Sequence, residues 1–339
     1  MARHELSIEH LKKPAHQVIA LIITAIEKKV RHQRWLMLLQ HHSKLDANTA
    51  PLDPEALHDF RVELRRLRVW LAQSRDCVAT RRAARSQLRA LAKMSNAPRD
   101  TEVFLSLLAK IPADTPKLLP ATAPPAPNTH PNSHPNPLAL IPELAAPLPV
   151  LAPRRRKQKS RPFGLWLAQH LRDALHQSDA CFNGDEACLH AARIHIKHLR
   201  YLIEPFAVMP QMAEAIGVLK SLQTTLGDLH DLFMMRQLLA PSLGAQLIEA
   251  LNTLTQQPEV KTRQIQQVFN PARDQFICAL NWQKTQYQTA LNQWQAQESS
   301  HRHALNSHIN ALIDWLTEQP HRAASPSRLI KQADKSPRV

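Results

Sequence analysis

Five glycines in 339 residues leave no material for a Gly-rich phosphate loop or a dinucleotide fingerprint, each of which clusters several glycines between a strand and a helix. Nucleotide binding of those kinds is excluded. Tyrosine occurs only twice and aromatics make up 5 % of the chain, which argues against the stacking platform that single-stranded nucleic acids rest on. Acidic residues are outnumbered, with 28 Asp and Glu against 43 Lys and Arg, for a formal net charge of +15. Such an excess suits a polyanionic partner (nucleic acid, an anionic membrane or a phosphate polymer) and says nothing about fold. The four cysteines, Cys77, Cys181, Cys188 and Cys278, form no CxxC pair, so reduced thiols in a cytoplasmic protein are expected. Long apolar runs are missing too. The longest mostly apolar stretch, residues 18–26, falls far short of the ~20 residues a spanning helix needs. Residues 1–16 mix charges without an apolar h-region, so no signal peptide is expected.

What the chain does have is a one-sign stripe. On a helix at 100° per residue, His58, Arg61, Arg65 and Arg68 share a sector about 80° wide, with Phe60, Leu64, Leu67 and Leu71 gathered beside it. Arg66 adds a further cation. Solvated helix faces usually alternate charge signs for small pair energies. A single sign flanked by apolar residues points instead to the wall of a positive groove. The pattern is written a second time: His190, Arg193, Lys197 and Arg200 repeat the spacing of His58, Arg61, Arg65 and Arg68, while Leu189, Ile196 and Leu199 repeat Leu57, Leu64 and Leu67. An internal duplication of a basic helix follows.

Guanidinium forks match phosphate oxygens and cannot lose their charge. On successive turns they offer donors every ~5 Å, a row along which a linear polyanion can lie. His58 and His190 open their stripes and could either donate to a phosphate or pin a helix interface. No serine elbow, no cysteine beside a base and no magnesium-holding carboxylate cluster emerges. His130, His134, His301 and His303 lack convincing metal-ligand partners. The expectation is a binding protein rather than an enzyme, with no cofactor and no metal site.

Along the chain the periodicity predicts helices over 8–40, from Asp53-Pro54 through the first basic stretch, over 80–94 and over 101–109. The third carries Arg82, Arg85, Arg89 and Lys93 on one face, and Pro98-Arg99-Asp100 reads as the turn into the fourth. Residues 112–162 hold more than half of the 26 prolines and are expected to be an extended linker, ending in the basic cluster Arg154-Arg155-Arg156-Lys157. The second half predicts helices over 163–177, 185–206 and 210–226, then a turn at Leu226-Gly227-Asp228-Leu229-His230-Asp231 into a fourth, with further helical segments over 244–255 and 260–316. The domain reading is therefore 1–111 as a first helical half, 112–162 as linker, 163–319 as a second half and 320–339 as a basic tail.

These motifs resemble the CHAD family, the conserved histidine α-helical domain. The likeness rests on His58-x-x-Arg61-Val62-x-x-Arg65-Arg66-x-Arg68, on its echo from His190 to Tyr201, and on Arg99-Asp100 and Leu226 to Asp231 as the turn after each half's third helix. It spans roughly residues 8–316. The resemblance implies an all-α fold of two antiparallel four-helix bundles, related by a pseudo-two-fold duplication around a basic central groove or pore. It also implies binding of inorganic polyphosphate without turnover, and association with polyphosphate granules in the cytoplasm. The site it implies comprises His58, Arg61, Arg65, Arg66, Arg68, Arg82, Arg85, Arg89, His190, Arg193, Lys197, Arg200 and Lys220. The sequence departs from the family at Asn96, where a glycine is usual, and at the second half's third helix, which keeps only Lys220. The competing reading of the same charge is a sequence-nonspecific nucleic-acid binder.

Overall fold

The computed structural model describes residues 6–43, 54–79, 82–112, 152–153, 161–182, 185–257 and 259–319. They form nine α-helices: α1 (Ile8–Lys12), α2 (Ala15–Ser43), α3 (Pro54–Gln73), α4 (Arg82–Met94), α5 (Asn96–Leu108), α6 (Phe163–Asp179), α7 (Glu186–Ile203), α8 (Pro210–Thr255) and α9 (Thr262–Glu318). A 3-10 turn, Glu204–Phe206, follows α7, and two short strands, β1 (Val78–Ala79) and β2 (Ala152–Pro153), pair antiparallel. The protein is all-helical apart from that one pairing among the described residues. None of their helices is long and apolar enough to cross a membrane.

The expected helix over 8–40 is two helices. Lys13, preceding Pro14, is extended at φ −69°, ψ 156°, as the proline ring requires of its neighbour. Pro14 instead bridges Pro162, Ala15 N–H donates to Arg161 O at 3.0 Å and Phe163 N–H to Lys13 O at 2.8 Å. The end of the proline-rich segment is thereby fastened to the start of the chain, and β2 shows that 152–153 are strand rather than free linker. Residues 113–151 and 154–160 of the linker with its basic cluster, His130 and His134, and likewise Asp53 and the tail from 320, lie outside the described residues.

Two expected turns are helix interior. α5 begins at Asn96, so Pro98, Arg99 and Asp100 belong to its first turns, where the missing proline N–H has no intrahelical acceptor to lose. α8 runs without a break through Gly227 and Asp231. Its buried residues Met212, Ala215, Leu219, Leu222, Leu226, Leu229, Leu232, Met235 and Leu239 recur every three or four positions across the glycine. One helical glycine costs about 1 kcal/mol, whereas each buried leucine contributes about 2 kcal/mol, so burial wins. The segments expected over 260–316 are likewise one helix, α9, continuous through Pro271.

The main apolar core extends from Leu6 to Leu316 and draws on both halves, and a second, smaller cluster joins Phe104 and Leu107 of α5 to Leu232, Met235 and Leu239 of α8 and Ala279 of α9. α2 packs on α3 and α3 on α4, while α6, α7, α8 and α9 pack in sequence and α9 closes back on α6. The halves meet where α5 touches α8, where α1 and α2 touch α6, and where α3 touches α7. At that seam Trp70, Phe163, Trp166 and Phe206 stack with ring centroids 5.3–6.4 Å apart, each essentially inaccessible to water. The Trp70 indole N–H donates to Tyr201 O at 3.0 Å, tying the end of α3 to the end of α7. Gly164 permits the closest approach: a β-carbon there would meet Leu316 O at 3.3 Å and Leu11 O at 3.4 Å.

Candidate functional site

The two basic helix copies, α3 and α7, meet at the seam between the halves, because the apolar positions flanking each stripe are the ones that pack. Leu57, Phe60, Leu64 and Leu67 are buried on α3, and Leu189, Ile196 and Leu199 on α7. The cations between them are consequently drawn toward the seam. Arg65, half-buried on α3, lies close enough to Arg193 and Lys197 on α7 to act on the charge of both. Arg193 acts on the Lys197 amine as well.

Lys197 is the most perturbed. It is 8 % exposed, and burial, then Arg193, then Arg65, push its amine from 10.5 down to about 6. Asp231 opposes the shift without cancelling it. At neutral pH this amine gives up its proton, so the positive potential of the seam exceeds what its carboxylates balance. Arg193 is held below its ordinary value by burial, against the pull of Asp231 and Asp228. Its guanidinium packs over Gly227, where a β-carbon would lie 3.7 Å from Nε in ordinary contact, and its Nε is buried with no hydrogen-bond partner. Leaving such a donor unmet costs about 1–3 kcal/mol.

Around this centre the other cations sort into two kinds. Arg66 donates to Glu204 at 2.9 Å and also pairs with Glu63, while Arg200 Nε lies 3.3 Å from Glu204. Both guanidiniums also flank the Tyr201 ring, at 5.8 and 5.1 Å. Arg66 and Arg200 thus converge from the two helix copies on one carboxylate and one aromatic. Arg68 extends the row outward, its guanidinium pulled down by burial and then by Arg89 of α4 and Arg65. The charged row therefore runs from α7 through α3 to α4. Arg82, Arg85 and Arg89 are exposed on α4, Lys220 is exposed on α8, His58 is exposed near the start of α3, and Arg61 is buried.

His190 Nδ1 lies 3.2 Å from His230 Nδ1, with ring centroids 4.5 Å apart. Burial and then Arg193 lower both; His230 falls to about 4. Both rings are neutral at pH 7 and line a small cavity with Glu186, Leu229, Phe233 and Tyr287. The described residues contain no group of three His, Cys, Asp or Glu placed to hold a metal ion.

Sequence reasoning brought out the α3 and α7 cations and missed how α8 completes the site. His230 and Asp231 were read as a turn, yet they lie on the helix that packs on α7. The signal was present: the apolar stripe from Met212 to Leu239 keeps helical spacing through Gly227, which marks an unbroken helix. Glu204 stands at i+4 from Arg200, a pairing the sequence carries, whereas the convergence of Arg66 on Glu204 and Tyr201 depends on a second helix arriving.

The model of the CHAD domain matches residues 36–240, more than half of the chain. No curated protein matches it. Among solved structures, the crystal structure of the CHAD domain from the plant Ricinus communis is similar at 18 % identity and a TM-score of 0.48, over 92 % of this chain and 96 % of that one. PptA from Streptomyces chartreusis is similar at 16 % identity and a TM-score of 0.36, over 83 % of this chain and 100 % of that one.

Proposed function

The chain belongs to the CHAD domain family, and on that premise we propose that it binds inorganic polyphosphate without turning it over. In this reading the halves are antiparallel four-helix bundles related by the duplication, and α3 and α7 wall a basic groove between them. The observation that carries the proposal is the burial of Lys197 beside Arg193 and Arg65, which lowers its amine to about 6, together with the buried Arg193 Nε that has no hydrogen-bond partner. Like charges are brought together there by the packing of two helices, at a cost that a linear polyanion reverses.

The roles follow from the surroundings. Arg65, Arg193 and Arg68 present forks to successive phosphates, and Lys197 takes up a proton as the anion arrives. Arg66 and Arg200, engaged by Glu204, orient the two helices rather than bind. His190 and His230 donate once protonated. Arg89, with Arg82 and Arg85 on the same helix, extends the track across α4; His58, Arg61 and Lys220 serve its periphery. Affinity comes largely from counterion release and falls steeply with salt.

Binding to polyphosphates of increasing length at fixed salt tests this directly. Affinity per molecule should rise with length until the track is filled; affinity no better than for orthophosphate would refute the reading. DNA or RNA at equal phosphate concentration should compete poorly, and displacement of polyphosphate by either would favour the nucleic-acid alternative. Prolonged incubation with a divalent metal should release no orthophosphate.

A further inference from the structure

Beyond Ser242 of α8 and before Ala279 of α9, none of the described residues is buried, although the two helices pack on each other. This two-helix arm lies outside the stretch matched by the family model. It nevertheless carries half of the large apolar side chains left exposed among the described residues: Ile248 is 62 % exposed, Phe269 50 %, Ile277 47 % and Ile265 43 %, with Leu251 and Val260 near 40 %. Gln283 Nε2 donates to Leu232 O at 2.9 Å and sets the register of the antiparallel pair. Counting outward from that bond brings Ile248 within two residues of the level of Phe269, and Leu251 within two of Ile265. The apolar exposure is therefore gathered at matching heights on one arm.

Two helices share a single seam and leave their flanks wet, whereas four cover one another. We propose that the arm is a homodimer interface and that its occupant is the arm of a second copy of this chain, the two hairpins closing into a four-helix bundle.

Charge selects this occupant. The arm's charged residues, Glu249, Glu259, Lys261, Arg263, Arg273 and Asp274, sum to zero, in a chain of +15. A polyanion gains nothing there, and a second copy meets no net repulsion there, unlike at its basic surfaces. Area agrees. With a free large apolar residue presenting on the order of 200 Å², the exposed fractions amount to roughly 500 Å² per copy, at the upper end of the largest patch a monomer ordinarily shows. Two copies together bury about 1,000 Å², the lower bound for a specific interface.

Sedimentation of the full-length protein without polyphosphate should give a dimer at micromolar concentration. The dimer should persist at about 1 M salt, where screening weakens repulsion between the basic bodies. Ile248→Glu with Phe269→Glu should weaken association at least about a hundredfold, the scale of two lost interface anchors, with the helical circular dichroism unchanged. Lysine cross-linking of mixed light and heavy copies should give links from Lys261 between copies. A wild-type monomer across the concentration range would overturn the proposal, as would links from Lys261 confined to one copy, for example to Lys117 of the proline-rich segment. So would charge variants that dimerise like wild type. A bare Ile248→Ala, Phe269→Ala pair, milder on folding, should weaken the dimer in the same direction.

Discussion

In the proposed function Lys197 makes polyphosphate binding a proton-coupled event, and the coupling has a calculable size. In the unliganded protein its amine titrates near 6 instead of 10.5, because it is buried beside Arg193 and Arg65. A phosphate within hydrogen-bond reach offsets both causes and returns the bound-state value toward the ordinary lysine range. Between pH 6 and the bound-state value the free protein is deprotonated and the complex protonated. Affinity therefore falls with rising pH by about tenfold per unit, or ~1.4 kcal/mol. Below pH 6 both forms carry the proton and Lys197 contributes no further slope; His190 and His230, neutral in the free protein, add proton uptake toward lower pH. Titration calorimetry in two buffers of different ionisation enthalpy at pH 7 reads the uptake directly, and about one proton per site should be assigned to Lys197. Lys197→Arg keeps a permanent charge, so it should retain binding while losing that proton and most of the slope between pH 6.5 and 8.5. Identical heats in the two buffers, or an unchanged slope in the arginine variant, would refute the reasoning.

The same lysine burdens the empty fold. Its folded pKa lies below the unfolded value, so the penalty is absent above pH 10.5, grows as pH falls toward 6 and is constant below. Lys197→Met should raise the melting temperature more at pH 6 than at pH 10, measured by thermal denaturation. Arg65→Ala should lose about 1.5–3 kcal/mol of polyphosphate binding, the scale of hydrogen bonds to a charged group, with stability unchanged or slightly improved by relief of repulsion. Arg66→Ala should show the reverse in denaturant melts, losing on the order of 1–2 kcal/mol of stability, since it leaves Glu204 with only Arg200. Gly227→Ala should stabilise α8 by up to about 1 kcal/mol, because a β-carbon there meets only Arg193 at 3.7 Å and no described glycine has a positive φ. A marked loss of stability would restore the turn.

Some properties were legible residue by residue. Helical character follows from apolar spacing of three and four, and the stripe His58, Arg61, Arg65, Arg68 with its copy from His190 follows from counting, since helix geometry is local and fixes which side chains share a face. Glycine and proline misled for the same reason. Read locally, Gly227 and Pro98 look like turns. In the fold, the burial of Leu226 and Leu229 outweighs a glycine's cost, and Pro98 sits where no hydrogen bond is lost.

What the linear chain could determine was the composition of each face: which residues are apolar, which cationic, and that one basic helix was written twice. Which of those cations would confront each other was decided by tertiary packing alone. Arg66 meets Glu204, and Lys197 meets Arg65 and Asp231, only across elements far apart in the chain, and the buried setting that takes the proton from Lys197 exists only once α3, α7 and α8 have closed around it. Electrostatic energy depends on distance and on the exclusion of water, and the order of residues specifies neither until the chain has folded.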